Sequence, residues 1–322
     1  MTHEQLMHLL HAYEMDRPEP TFLRHNENRT YRVQDSDGKR YLLRIHEPFV
    51  QEMKGLQHTE AGILAELDML EQWGQWSRDE VQVPVRNKSG ELVTTFEADG
   101  QKMNASLLTW MEGRDLSQED VQGADIAKKL GKHMAELHAF FRQYNPSGME
   151  ARPSQGKAYN KRMAQVIHSS VSQGLFTPAD AATIDETLQL VNERLSDEGG
   201  DDGPDLIHGD VCQGNAILTV HGDVRFIDFG FYGKGYAQTD TAMGAMMLPA
   251  NRRDAFLEAY YGRACSENEL LLLEGLTLAA IIGFYVFQIG NEKHHDGMRE
   301  RMPILCAERC RPFLRGERIF YQ

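Results

Sequence analysis

A chain of 322 residues with 41% hydrophobic and 25% charged content is globular, not disordered, and long enough to bury two separate cores. Its 48 acidic against 34 basic residues leave a formal charge of −14, which argues against a nucleic-acid partner, because binding a phosphate backbone rests on clustered Lys and Arg. The balance suits a cationic substrate, and it equally suits solubility alone.

In chain order, residues 4–13 read as a helix with Leu6, Leu9, Leu10 and Tyr13 at helical spacing. Two strands follow, at 31–34 and 40–45, joined by the turn Asp35-Ser36-Asp37-Gly38 and preceded by a loop at 24–30. A helix over 59–73 carries the apolar set Ile63, Leu64, Leu67 and Leu70, with Glu60 and Glu66 among its polar residues. Strands at 92–96 and 102–110 run into Met111-Glu112-Gly113.

Residues 120–141 form an amphipathic helix ending in Leu137-His138, where the histidine reads as structural. After a turn-rich stretch at 145–156 comes a polar helix at 161–169. Thr177-Pro178-Ala179-Asp180 then starts a helix that reaches about residue 195. Beyond residue 230 the glycines of FYGKGYAQTD predict a flexible segment, and Asp240 is an N-cap candidate for a helix near Thr241. Helices over 253–261 and 267–288 follow. The second approaches membrane-span length but is interrupted by Glu274, Gly275 and Gly283, so it reads as a buried core helix.

Four cysteines, Cys212, Cys265, Cys306 and Cys310, are too few and too scattered for a disulfide framework. With no apolar leader in front of them, the expectation is a cytoplasmic protein with no membrane attachment. Cys306 and Cys310 read as half-buried thiols on a helix face, not as metal ligands.

The stretch with the most chemistry runs from Asp205 to Gly230, DLIHGDVCQGNAILTVHGDVRFIDFG. It holds a carboxylate at Asp210, an amide five residues later at Asn215, and a second carboxylate thirteen residues beyond at Asp228, each behind a short apolar run. Phosphoryl transfer needs these groups: a carboxylate that orients and deprotonates the attacking hydroxyl, and oxygen ligands that hold Mg²⁺ against the nucleotide phosphates. Asp210 is the candidate base, and Asn215 and Asp228 are the candidate metal ligands. The apolar runs place all three at strand ends on one hairpin-like platform. Taken singly, Asp210 also fits a turn and Asp228 a cap.

HGDxxxxN followed by IDFG resembles the catalytic and metal-binding loops of the aminoglycoside phosphotransferase, choline kinase and type II homoserine kinase superfamily. That resemblance implies an α+β, two-lobed protein-kinase-like fold with a small antiparallel-sheet N-lobe (1–107), a hinge (108–113) and a mostly helical C-lobe (114–322). It also implies ATP and Mg²⁺ as cofactors. There is no GxGxxG; RHNENRT at 24–30 resembles the family's nucleotide loop, with Asn28 open to a phosphate or to its own backbone. Arg44 stands where the family's strand commonly carries a nucleotide-binding Lys, and Glu66 in the run AEL is its expected partner. Thr109, Trp110 and Met111 are the hinge candidates for the adenine edge, through backbone groups. Asp240 resembles an aspartate that braces the catalytic loop. The implied activity is ATP-dependent phosphorylation of a hydroxyl on a small molecule of aminoglycoside, choline or homoserine type. A bacterial stress-response type of protein Ser/Thr kinase and a nucleotide-binding pseudokinase remain the alternatives.

Overall fold

The computed structural model describes residues 1–48, 55–98 and 100–321. The chain divides into two compact units: Met1–Glu112 with Tyr144–Pro153, and Gly113–Gln143 with Ser154–Gln322.

In the first unit, Thr2 and Gln5 form a reciprocal capping box that starts α1 (His3–Leu10), satisfying N–H groups the helix itself leaves unpaired. The sheet comprises β1 (Glu19–His25), β2 (Arg29–Gln34), β3 (Arg40–Ile45), β4 (Pro84–Val85), β5 (Thr94–Ala98) and β6 (Gln101–Thr109). Its order is β1-β2-β3-β6-β4, with β5 also on β6, and every pairing is antiparallel. Leu6, Leu9, Leu10 and Tyr13 from the N-terminal segment meet Val33, Leu43, Ile45 and Leu107 in one core cluster. Thr59 caps α2 (Glu60–Trp76) by accepting from Gly62 N–H.

β1 corrects the expectation of a loop over 24–30. Arg24 and His25 end β1, Arg29 and Thr30 begin β2, and only the tip between them turns. The strand escapes pattern reading because it lies at the sheet edge, contains Pro20, and is mostly exposed, so it shows no alternation of burial. A second correction concerns α2: Ile63, Leu67 and Leu70 are buried as expected, but Leu64 is 38% exposed and Glu66 takes a place in the buried face at 2%.

His46, just beyond β3, is buried with its Nε2 2.9 Å from Ser106 Oγ. Burial, reinforced by Arg44, His58 and Arg152, holds its pKa well below the ordinary 6.5. The unfolded chain therefore takes up a proton below pH 6.5 that the folded one refuses. Stability falls as pH drops through that value, by up to about 1.4 kcal/mol per pH unit. Urea unfolding between pH 7 and 5, followed by tryptophan emission, tests this. All three tryptophans (Trp73, Trp76, Trp110) lie in this unit, and an identical slope in His46→Gln would exclude His46 as the source.

The second unit contains β7 (Gly113–Asp115), α3 (Ala124–Phe141), α4 (Lys157–Ser170) and α5 (Pro178–Arg194), the last capped by Thr177 with Pro178 at its first position. Then come β8 (Asp205–Ile207), β9 (Ala216–Thr219), β10 (Val224–Phe226), β11 (Gly233–Gly235), α6 (Ala237–Met246), α7 (Ala250–Tyr261), α8 (Glu267–Gln288) and α9 (His295–Leu305). α8 is long and apolar enough to cross a membrane by composition, but it packs on α4, α5 and α6, and Leu273, Leu276, Leu278 and Ile282 are buried. Its Glu274, fully buried, accepts the N–H groups of Ile319, Phe320 and Tyr321 and so docks the C-terminal segment.

Two further expectations change here. Cys306 and Cys310 are fully buried, not half-buried, at either end of a π-helical turn that follows α9. Residues 233–235, expected to be flexible, form β11, which pairs with β8. A Cβ on Gly235 would lie 2.5 Å from Ile207 Cδ1, so glycine serves close packing there.

Candidate active site

β8 delivers the chain to His208-Gly209-Asp210. Gly209 adopts φ +78°, and a Cβ on it would meet Phe231 O at 2.5 Å and Gln155 Nε2 at 2.9 Å. Only glycine fits that approach. Gly209→Ala is expected to cost about 1–3 kcal/mol in stability and to lower turnover by misplacing Asp210. Urea unfolding followed by circular dichroism, together with initial rates, checks both, and unchanged values in each would refute it.

The turn is held from beneath by Asp240. Its Oδ2 accepts from His208 N–H at 2.7 Å, and its Oδ1 accepts from Gly209 N–H at 2.9 Å. His138 Nε2 stands 3.0 Å from the same Oδ2, and its Nδ1 lies 2.7 Å from the Tyr260 hydroxyl. This network assigns the proton to Nε2, which donates to the carboxylate. Asp240 is fully buried inside α6 and does not cap it; Asp205 accepts from Ala237 N–H at the start of that helix. His138 thus orients the brace and does not reach the loop's polar groups itself.

From Asp210 the chain enters a short 3-10 turn, Gln213–Asn215. Asn215 Nδ2 donates to Asp210 Oδ2 at 2.8 Å and to Asp210 O at 2.9 Å. With its amino group turned that way, the amide oxygen faces away from Asp210. Ile227 N–H donates to Asn215 O, and His208 Nε2 lies 3.0 Å from Ile227 O, so the residue before Asp228 is tied to both ends of the loop. The His208 ring packs on Phe229 at 4.4 Å between centroids. Asp228 itself sits at φ +63°, ψ +67°, an uncommon conformation for a residue with a side chain, though aspartate tolerates it better than most.

Asp210, Asn215 and Asp228 are therefore gathered, but not on one hairpin. Asn215 and Asp228 flank the β9–β10 hairpin, which pairs onward with β7, whereas Asp210 follows β8 in a separate two-stranded sheet with β11. Cys212 lies in the field of both carboxylates. Burial first, then Asp210 and Asp228, push its thiol up to about 11, so it stays protonated and is no nucleophile at neutral pH.

In the first unit, Arg44 Nη1 meets Glu66 Oε1 at 2.7 Å, and both side chains are almost fully buried. Arg152 Nη1 lies 3.7 Å from Glu66 Oε2 and donates to Gly62 O. Sequence reading missed Arg152, because nothing local to the turn-rich stretch around it marks a partner on α2. Arg44 Nε and Nη2 are buried with no hydrogen-bond partner among the described residues, as is Asn28 Oδ1 at the β1–β2 turn. Thr109 N–H donates to Val83 O and Trp110 N–H to Arg40 O, whereas none of the described backbone bonds uses the N–H of Met111.

The sequence profile of the phosphotransferase enzyme family matches residues 21–273. The chain belongs to that family. This phosphotransferase has no match among curated protein sequences. Among solved structures it resembles a microcompartment-associated aminopropanol kinase (TM-score 0.75, 18% identity, 97% of each chain covered). It also resembles an amicoumacin kinase in complex with AMP-PNP and Ca²⁺ (0.71, 17%, 97% of this chain and 93% of that one). A third is a spectinomycin phosphotransferase in complex with ADP and spectinomycin (0.66, 12%, 97% and 98%). At these identities the likeness establishes the fold: the phosphotransferase has the α+β, protein-kinase-like fold of these neighbours.

Proposed function

We propose that this phosphotransferase moves the γ-phosphoryl group of ATP to a hydroxyl of a small molecule, with Asp210 as base. The observation that carries the reading is the Asn215–Asp210 hydrogen bond at 2.8 Å within a loop braced by Asp240. It fixes the orientation of the carboxylate in the loop, as a base that must meet an acceptor hydroxyl requires. In the transfer, the acceptor O–H proton passes to Asp210, the acceptor oxygen bonds to phosphorus, and the bond from phosphorus to the ADP oxygen breaks.

Asn215, through its amide oxygen, and Asp228 suit a hard cation such as Mg²⁺. Among the described residues no group of three or more His, Cys, Asp or Glu could hold a metal without other ligands. The two side chains are therefore expected to bind the ion together with the nucleotide phosphates. When bound, Mg²⁺ offsets charge on those phosphates. In the first unit, the partnerless Arg44 Nε and Nη2 are two buried donors whose desolvation goes uncompensated until an acceptor arrives; a phosphate oxygen supplies one. The partnerless atom of Asn28 is its Oδ1, an acceptor that suits a donor on the nucleotide and not a phosphate oxygen, and Met111 has the hinge N–H left for an adenine edge.

The test is transfer of radiolabelled phosphate from Mg-ATP to a panel of alcohols, with Asp210→Asn as control. Acceptor-dependent transfer that vanishes in the control is expected. ATP turnover with no small-molecule product would redirect the search to protein hydroxyls, and no ATP binding would overturn the proposal.

A further inference from the structure

The second unit holds a cavity of about 560 Å³, within the roughly 300–1,000 Å³ of small-molecule sites. Its wall includes Val211, Cys212 and Gln213, the residues that directly follow Asp210, so the cavity adjoins the segment that carries the base. The opposite walls are apolar. Met243, Met246 and Met247 come from α6 and its C-terminal end, and Ile281 and Phe284 from α8.

Among the described residues, no side chain lining this cavity carries a formal charge. Its polar groups are largely engaged within the protein. Gln118 Nε2 donates to Gln213 Oε1 at 2.6 Å, Gln213 Nε2 donates to Leu116 O at 2.7 Å, and the Thr277 hydroxyl lies 3.1 Å from that of Tyr321. The chain's charge of −14 is thus placed elsewhere on the molecule. An ammonium group entering here would lose its hydration without gaining a carboxylate, apart from the pair already assigned to the reaction. Unbranched, polarizable Met side chains instead adapt to an apolar body of irregular shape.

We infer that the acceptor is an uncharged alcohol with an apolar body, bound by this wall with its hydroxyl toward Asp210, and not a polycationic aminosugar. The inference rests on the phosphotransferase reading above.

The experiment measures kcat and KM with Mg-ATP for 2-phenylethanol and cyclohexylmethanol against choline and kanamycin, alongside ATP hydrolysis without acceptor. Direct binding of 2-phenylethanol by calorimetry accompanies it. Expected is a kcat/KM at least tenfold higher for the apolar alcohols. Ala280→Trp, which fills the cavity from α8, should raise their KM at least tenfold. Phe284→Ala should raise it severalfold with little risk to folding, since Phe284 is 57% exposed. Melting curves show whether each variant is folded. Equal or better transfer to kanamycin or choline would overturn the inference and leave the phosphotransferase reading standing. So would failure to use or bind either apolar alcohol in a protein that hydrolyses ATP. Absence of any Mg-dependent ATP turnover would instead overturn the underlying reading.

Discussion

Replacing Asp210 with asparagine is expected to lower phosphate transfer by about 10²–10⁴-fold while leaving ATP affinity nearly unchanged. The substitution keeps the shape of the group and its bond from Asn215 Nδ2, because an amide oxygen still accepts. On the proposed role, what disappears is the ability to take the acceptor proton, which acts only in the transition state. The loss should therefore fall on kcat and kcat/KM together. The same change removes one of the charges that raise Cys212, so that thiol should titrate lower in the variant than in the unsubstituted protein. Wild-type turnover in the variant would exclude Asp210 as the base, and an unchanged thiol titration would show that the two groups do not interact. Single-turnover rates and thiol labelling against pH give the two readouts.

Glu66→Gln is expected to destabilise the first unit by about 3–5 kcal/mol. Glu66 is the shared carboxylate of Arg44 at 2.7 Å and Arg152 at 3.7 Å, and all three side chains are buried. Neutralising it leaves two guanidinium groups out of water without a counter-charge, and His46 and His58 nearby offer none. The paired state need not be more stable than an apolar replacement of all three residues; the penalty comes from breaking it. Tryptophan-detected urea unfolding reports on this unit alone. A loss below about 1 kcal/mol would mean that water or a rearrangement solvates the arginines, and would remove the argument that Arg44 is held in place for a phosphate.

Local rules carried much of the fold. The capping residue Thr177 marks a helix start that the structure reproduces, and the long apolar helix falls at Glu267–Gln288 as read. These succeed because a cap acts within three or four residues of itself. Strands were harder. β1 is an exposed edge with proline, and β11 consists of glycine, lysine and glycine, so neither has a burial pattern to read. Each is a strand only because a partner, β2 or β8, supplies its hydrogen bonds.

For the site, the sequence alone determined the chemical types and their spacing, a carboxylate, an amide and a second carboxylate at strand ends, while Arg44 and Glu66 came from the family resemblance. That information survives without coordinates because each group is fixed by the few residues around it. Only the tertiary structure decided what holds them and what faces them. Asp240 braces the loop from within α6, Arg152 joins Glu66, and the apolar wall beside Asp210 is assembled from α6 and α8. Those partners lie far away along the chain, and their side chains carry no mark of it. A buried carboxylate or methionine looks the same in sequence wherever it packs; burial and proximity exist only once the helices have closed on one another.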